Sequence, residues 1–261
     1  ACLFASAVFS LTAAQIDPEF GIELFDGTTG TVRIASSEME SSAVTRENGS
    51  VRIAWKGHPR LGPDFAAVAA GVETGDAVEW TFSCSGNASG MPIGKIAFPV
   101  VDVPCTDKAS VLYSPDAGGG TMGWKRKIDL KKRTAGKEFV STLSPGFRFV
   151  SVLNGENRDS WYLDVRDAVS NAGRFTLAKK SDSTARLQWI HDVPLAPSNA
   201  VAYRLPFTAR VRAFRGDWFE AAAYYREWVK TTPRYAAAKS RDKSRVRDIG
   251  LWMWNRGLAE T

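Results

Sequence analysis

Along most of the chain, apolar and polar residues alternate in short runs, the period of a strand with one buried face. Val51, Ile53 and Trp55 share one side of 50–55. Val78, Trp80, Phe82 and Cys84 face away from Glu79, Thr81 and Ser83, and Ala185, Leu187 and Trp189 oppose Arg186 and Gln188. Similar runs occupy 21–25, 31–35, 147–153, 161–165 and 174–178, and 201–214 is long enough for two strands or one bent strand. Asp26-Gly27, between the first two of these, is a hairpin signal. The run 95–101 is almost continuously apolar and predicts a strand covered on both faces. About a dozen such strands, punctuated by Gly, Pro, Asn and Asp, predict an all-β protein. The number exceeds an immunoglobulin-like sandwich and predicts two large antiparallel sheets packed face to face.

The period changes once. Between Gly216 and Pro233, the residues Trp218, Ala221, Ala222, Tyr225, Trp228 and Val229 recur at three- and four-residue steps, the stripe of an amphipathic helix. Asp217 and Glu220 form a capping box at its start. Pro233 stops it, because proline cannot extend the hydrogen-bonded turn. Arg226, Glu227 and Lys230 fall on the exposed side. A basic segment, 234–247, follows, and then an apolar strand, 248–254.

The chain has 261 residues, of which 44% are hydrophobic and 24% charged, enough for one large domain or two small ones. Residues 1–14 are apolar and uncharged. They are shorter than the roughly 20 residues that span a bilayer. They predict the apolar core of a secretory signal, with cleavage near Gln15, no membrane span, and a secreted or periplasmic protein. Of the three cysteines, Cys2 leaves with the leader. Export permits a Cys84–Cys105 bridge. If the strands carrying them pair as a hairpin, however, the thiols sit at opposite ends, beyond the roughly 7 Å Cα limit, so two free thiols are predicted. The net charge of +6 falls in short clusters, 125–127, 131–133 and 179–180, beside turn signals. No helix-turn-helix, zinc-finger or RNP pattern accompanies them, so they predict a solvated surface and no nucleic acid partner.

The two histidines, His58 and His191, are far apart and lack zinc-ligand spacing, so no metal and no cofactor are predicted. A nucleophile elbow, a Walker loop and a dinucleotide fingerprint are all missing from the sequence. Glycoside hydrolysis needs two carboxyl groups flanking the scissile bond. Asp164 and Asp167, near Trp161 and Tyr162, are the nearest pair, but capping a turn is the commoner use of such loop carboxylates. No catalytic residue is assigned. At the last strand, Trp252 and Trp254 share a face, and Asn255 and Arg256 follow at its C-terminal end. In a β/α barrel that end faces the ligand, so Trp252, Trp254, Asn255 and Arg256 are candidate sugar contacts. They read equally well as core tryptophans and a turn.

Several segments together carry a family resemblance. They are Gly94-Lys95-Ile96-Ala97-Phe98-Pro99, then Leu112-Tyr113-Ser114-Pro115-Asp116-Ala117-Gly118, then Trp161-Tyr162-Leu163-Asp164-Val165-Arg166-Asp167, and finally the helix from Gly216 to Trp228 with its following strand. In this order they resemble the N-terminal part of secreted bacterial glycoside-hydrolase-like proteins. These place a galactose-mutarotase-like β-supersandwich before a (β/α)8 barrel, and endo-α-N-acetylgalactosaminidase is a distant relative. After the partial signal peptide read at 1–14, the resemblance implies a supersandwich at 15–215, a joint helix at 216–232, a basic linker at 233–247 and the first strand of a truncated TIM barrel at 248–261. It implies carbohydrate as partner through the barrel, the protein's own C-terminal catalytic domain as the second partner, and catalytic carboxylates on later barrel strands. Two alternatives stay open. One is a free-standing carbohydrate-binding or surface-adhesion module. The other is a mutarotase-like epimerase, which needs an acid and a base such as a histidine and a carboxylate.

Overall fold

The computed structural model of the chain describes residues 12–27, 30–113, 126–141, 148–155, 158–169 and 171–240. In chain order the strands are β1 (Glu19–Phe25), β2 (Thr31–Ala35), β3 (Ser41–Glu47), β4 (Ser50–His58), β5 (Gly62–Thr74), β6 (Ala77–Ser85) and β7 (Ile93–Pro104). Then come β8 (Ser110–Tyr113), β9 (Arg126–Asp129), β10 (Glu138–Ser141), β11 (Phe149–Leu153), β12 (Ser160–Arg166), β13 (Gly173–Lys179) and β14 (Thr184–Asp192). A short helix α1 (Pro197–Val201), the strands β15 (Tyr203–Arg204) and β16 (Thr208–Phe214), and the helices α2 (Trp218–Lys230) and α3 (Pro233–Ser240) complete the described chain.

The strands build two antiparallel sheets. The six-stranded sheet has the order β10-β13-β14-β7-β1-β2, and the ten-stranded sheet has the order β3-β4-β5-β6-β16-β12-β11-β8-β9, with β15 also on β6. The predicted two-sheet supersandwich is therefore the observed fold. Alternation decides which face of each strand is buried. On β14, Ala185, Leu187 and Trp189 are buried while Arg186 and Gln188 point outward, and on β4 Val51, Ile53 and Trp55 do the same. The inner faces meet in one core. Phe82 of β6 stacks on Phe98 of β7 across the sheets, with ring centres 4.7 Å apart. Gly71 keeps this core close, since a Cβ there would lie 2.8 Å from the Trp80 ring.

Several expectations meet corrections here. β7 is fully covered on its core face and only partly on its outer one, where Val100 is buried but Lys95 and Ala97 are not. Ile96, Phe98, Val101 and Val103 enter the core, while Lys95 and Ala97 look outward. The continuous apolar run arises where the pairing of β7 slips register against β1 and β14, so Val100 turns outward without a polar partner position. Cys84 and Cys105 are free and buried, as predicted, but for a different reason. Cys84 ends β6 in one sheet and Cys105 follows β7 in the other, so these strands never pair. The 201–214 run resolves into two strands, β15 and β16, both paired with β6.

Helix α2 has the predicted capping box. The Asp217 side chain accepts from Phe219 N at 2.6 Å, and Glu220 accepts from Asp217 N at 2.8 Å. It lies on the outer face of the ten-stranded sheet. The stripe that faces the sheet is rotated from the predicted one: Ala221, Ala222, Tyr224 and Tyr225 pack on Leu112, Phe149, Tyr162 and Phe214. Trp218 is 38% exposed. The two tyrosines set the rotation, because Tyr225 meets Phe149 while Tyr224 meets Tyr162, Phe214 and the Arg212 guanidinium. Pro233 does not merely end α2; it opens α3, as proline at a first helical position can, so the segment read as a linker begins as helix. At the other end, Ala13 is only 1% exposed and belongs to the core, inside the segment assigned to the leader.

Candidate functional site

The outer face of the six-stranded sheet holds a cleft of about 280 Å³, with the short 3-10 turn Ser36–Glu38 at its edge. Ligand pockets usually start near ~300 Å³, so the space suits one small ring. Its floor is small and apolar. Gly21 and Ala97 face each other across β1 and β7, with Val100 and Ile190 nearby. The walls are the polar half of each alternating strand. Glu23 lies opposite Lys95 in register, and their side chains pair at 2.5 Å, with Arg33 3.5 Å from the same carboxylate. Arg186 donates to Asp102 at 2.7 Å through Nε and to Glu19 at 3.0 Å through Nη2. Burial opposes the Asp102 charge, but the bonds from Arg186 and Lys180 prevail and hold its carboxyl below the ordinary range. Gln188 donates to Thr176 Oγ1 and, at 3.2 Å, to Glu138. Arg174 completes this wall.

The opposite outer face is roofed by α2. Beneath it, Tyr162 donates its hydroxyl proton to Asp164 Oδ2 at 2.9 Å, and Asp164 is only 1% exposed. Burial pushes the Asp164 carboxyl up to about 6, against the pull of Arg166, the Tyr162 bond and Arg210. Its second oxygen, Oδ1, has no hydrogen-bond partner among the described residues and lies 3.9 Å from Arg166 Nε. Arg166 turns instead to Glu79, at 2.6 Å. Asp164 is thus sealed from any substrate.

Asp167 plays the turn-capping role. It accepts from Val169 N at 3.1 Å and from Asn171 Nδ2 at 3.0 Å, and Arg148 bridges it to the Asn171 carbonyl. The two carboxylates belong to separate structural networks. Neither histidine lines the cleft. His58 Nδ1 accepts from the backbone of Arg60 and Leu61 at 3.0 and 3.3 Å. His191 is fully buried, 2.9 Å from the Tyr203 hydroxyl, and burial lowers its pKa. Lys179 and Lys180, read as solvated, are tied to Asp182 and Asp102. Trp252, Trp254, Asn255 and Arg256 lie outside the described residues. Among the described residues there is no group of three or more His, Cys, Asp or Glu placed to hold a metal ion, and no helix long and apolar enough to cross a membrane.

The cleft residues were not singled out from sequence. Their signal was the polar half of each alternating strand. Only the strand order, with β13, β14, β7, β1 and β2 as neighbours, brings those halves together.

The architecture places the chain in a class, the two-sheet supersandwich. Among solved structures, the α-N-acetylgalactosaminidase NagBb from Bifidobacterium bifidum shares it with a TM-score of 0.55 at 11% identity, over 81% of this chain and 33% of that one. The GH36 α-galactosidase AgaB from Geobacillus stearothermophilus gives 0.51 at 13% identity, over 83% of this chain and 32% of that one. A galactose mutarotase-like protein from Lactobacillus casei gives 0.46 at 10% identity, over 74% and 80%. The chain spans about a third of the length of the two glycosidases. At the level of sequence, residues 203–261 match the model of a domain of unknown function, DUF6259. No curated protein matches the chain.

Proposed function

We propose that this chain is the non-catalytic sandwich scaffold of an exported enzyme that cleaves carbohydrate. The acid and nucleophile would lie on a (β/α)8 barrel following α3. In this reading 15–215 is the sandwich, 216–232 the joint helix, 233–247 the connection, and 248–261 the first barrel strand. Trp252, Trp254, Asn255 and Arg256 then reach the sugar at the mouth of the barrel. Export rests on the apolar run 1–14, at whose end Ala13 packs into the core. The observation that carries the reading is the sandwich shared with two glycosidases of which this chain spans only a third. Hydrolysis assays test it. The longer polypeptide should release 4-nitrophenol from the α-N-acetylgalactosaminide or the α-galactoside, and residues 1–261 alone should release none. Turnover by 1–261 alone contradicts it.

The open cleft favours a second reading, a carbohydrate-binding module. It gains if the reading frame stops at Thr261 and the chain binds sugar without cleaving it. The epimerase reading loses its histidine, since His58 and His191 hold backbone and Tyr203 away from the cleft.

A further inference from the structure

We propose that the open cleft takes an anionic saccharide, one carrying a carboxylate or a sulfate, with the Arg174 guanidinium as its anchor. The inference rests on the carbohydrate reading above and deepens it. Four cations line the cleft: Arg33, Lys95, Arg174 and Arg186. Three are already matched, Arg33 and Lys95 by Glu23, and Arg186 by Asp102 and Glu19. Arg174 has neither an ion pair nor a hydrogen bond among the described residues, although its side chain is half-buried.

Its surroundings explain why. Across the ladder its partner is Ile190, whose side chain offers no acceptor. The next outward pair, Thr176 and Gln188, bond to each other, and Gln188 also holds Glu138. A guanidinium carries five donors in a flat fork, which two oxygens of a carboxylate or sulfate can satisfy at once. Arg33 and Lys95 share Glu23, Arg186 holds two carboxylates, and the remaining lining carboxylates, Glu38 and Glu138, accept from Ala35 N and Gln188, so Arg174 is the lining cation whose donors no group takes among the described residues. The floor of Gly21 and Ala97 beside it is low and apolar, a surface for the C–H face of a ring. A neutral sugar would use the floor and leave Arg174 to water.

Titration calorimetry of residues 1–261 at low salt tests this with galactose, galacturonic acid and galactose 6-sulfate. At least one of the acids should bind roughly tenfold or more tightly than galactose, the usual weight of a charged hydrogen-bond pair. Which acid wins separates a uronate ligand from a sulfated one. Arg174→Gln should bring the acids down to galactose. Arg174→Lys, which keeps the charge and loses the fork, should fall between. Lys132→Gln, an exposed charge outside the cleft, should leave the preference intact. Equal binding of all three sugars, binding of none, or a preference that survives Arg174→Gln would overturn the inference. Hydrolysis by the longer polypeptide with no sugar in the cleft sinks the inference alone. Acid-sugar binding with no hydrolysis by the longer polypeptide sinks the enzyme reading alone.

Discussion

Two aspartates, one on each outer face of the sandwich, show how differently the faces are used. Asp164 lies under α2, almost without exposure, and burial lifts its carboxyl to about 6. Asp102 lies beside the open cleft with 32% of its side chain exposed, and Arg186 and Lys180 hold its carboxyl down despite partial burial. Both have arginine neighbours. What differs is the roof. Under a helix, losing water outweighs an arginine 3.9 Å away; at the cleft, direct hydrogen bonds at 2.7–2.9 Å with water nearby win. A covered face turns polar residues into a cost, and an open face lets them pair with one another or wait for a ligand.

The largest expected effect breaks the roof. Tyr162→Ala removes a buried ring that touches Phe149 and Tyr224 and also holds Asp164. It should cost roughly 3–5 kcal/mol in denaturant unfolding. A loss under about 1 kcal/mol would mean that α2 does not seal this face.

The second effect is a pH dependence of opposite sign on the two faces. Asp164 has a folded pKa above its ordinary 3.8, so its protonated form favours the fold. That contribution is fully present below the unfolded value and is lost as pH rises through about 6. Between pH 4 and 6.5, the wild type should therefore lose roughly 2–3 kcal/mol relative to Asp164→Asn. Asp102 has a depressed folded pKa, so its contribution is present above the ordinary value and is lost as pH falls through the folded one. Relative to Asp102→Asn, the wild type should weaken below about pH 4. Parallel stability curves for wild type and both variants would erase the distinction between the faces.

Smaller still is the open face's own ion pairing. Arg186→Gln should cost about 1 kcal/mol or less, and 0.5–1 M salt should shrink the difference, because partly exposed pairs are screened. A larger, salt-independent loss would mean that the cleft is drier than its geometry shows. Smallest is Trp218→Ala. At 38% exposure this residue should change stability by no more than about 0.5 kcal/mol. A large loss would restore the stripe predicted for α2.

Much of this architecture was readable in the residues. Alternation located the core strands, and on β4, β6 and β14 it told inner from outer positions correctly. The Asp217–Glu220 box and Pro233 bounded α2. What was not readable depended on neighbours distant in sequence. Periodicity tells that a helix has a buried stripe, but the aromatic rings on β11, β12 and β16 decide its rotation. The β7 run looked two-sided because a register slip disguises an outward face as apolar. Asp164 read as a loop carboxylate, and nothing local announces that a helix more than fifty residues later will cover it. The cleft needed strand order, since Arg174 and Glu23 line one space although they lie 174 − 23 = 151 positions apart in sequence.

The two outer faces differ in one respect above all: α2 covers one, and the other holds the open cleft. Amide hydrogen exchange of residues 1–261, with and without saturating galacturonic acid, tests this contrast most directly. Added protection is expected on β1, β13 and β14 around the cleft, with no change beneath α2. Protection that rises under α2 while the cleft strands stay unchanged would contradict it.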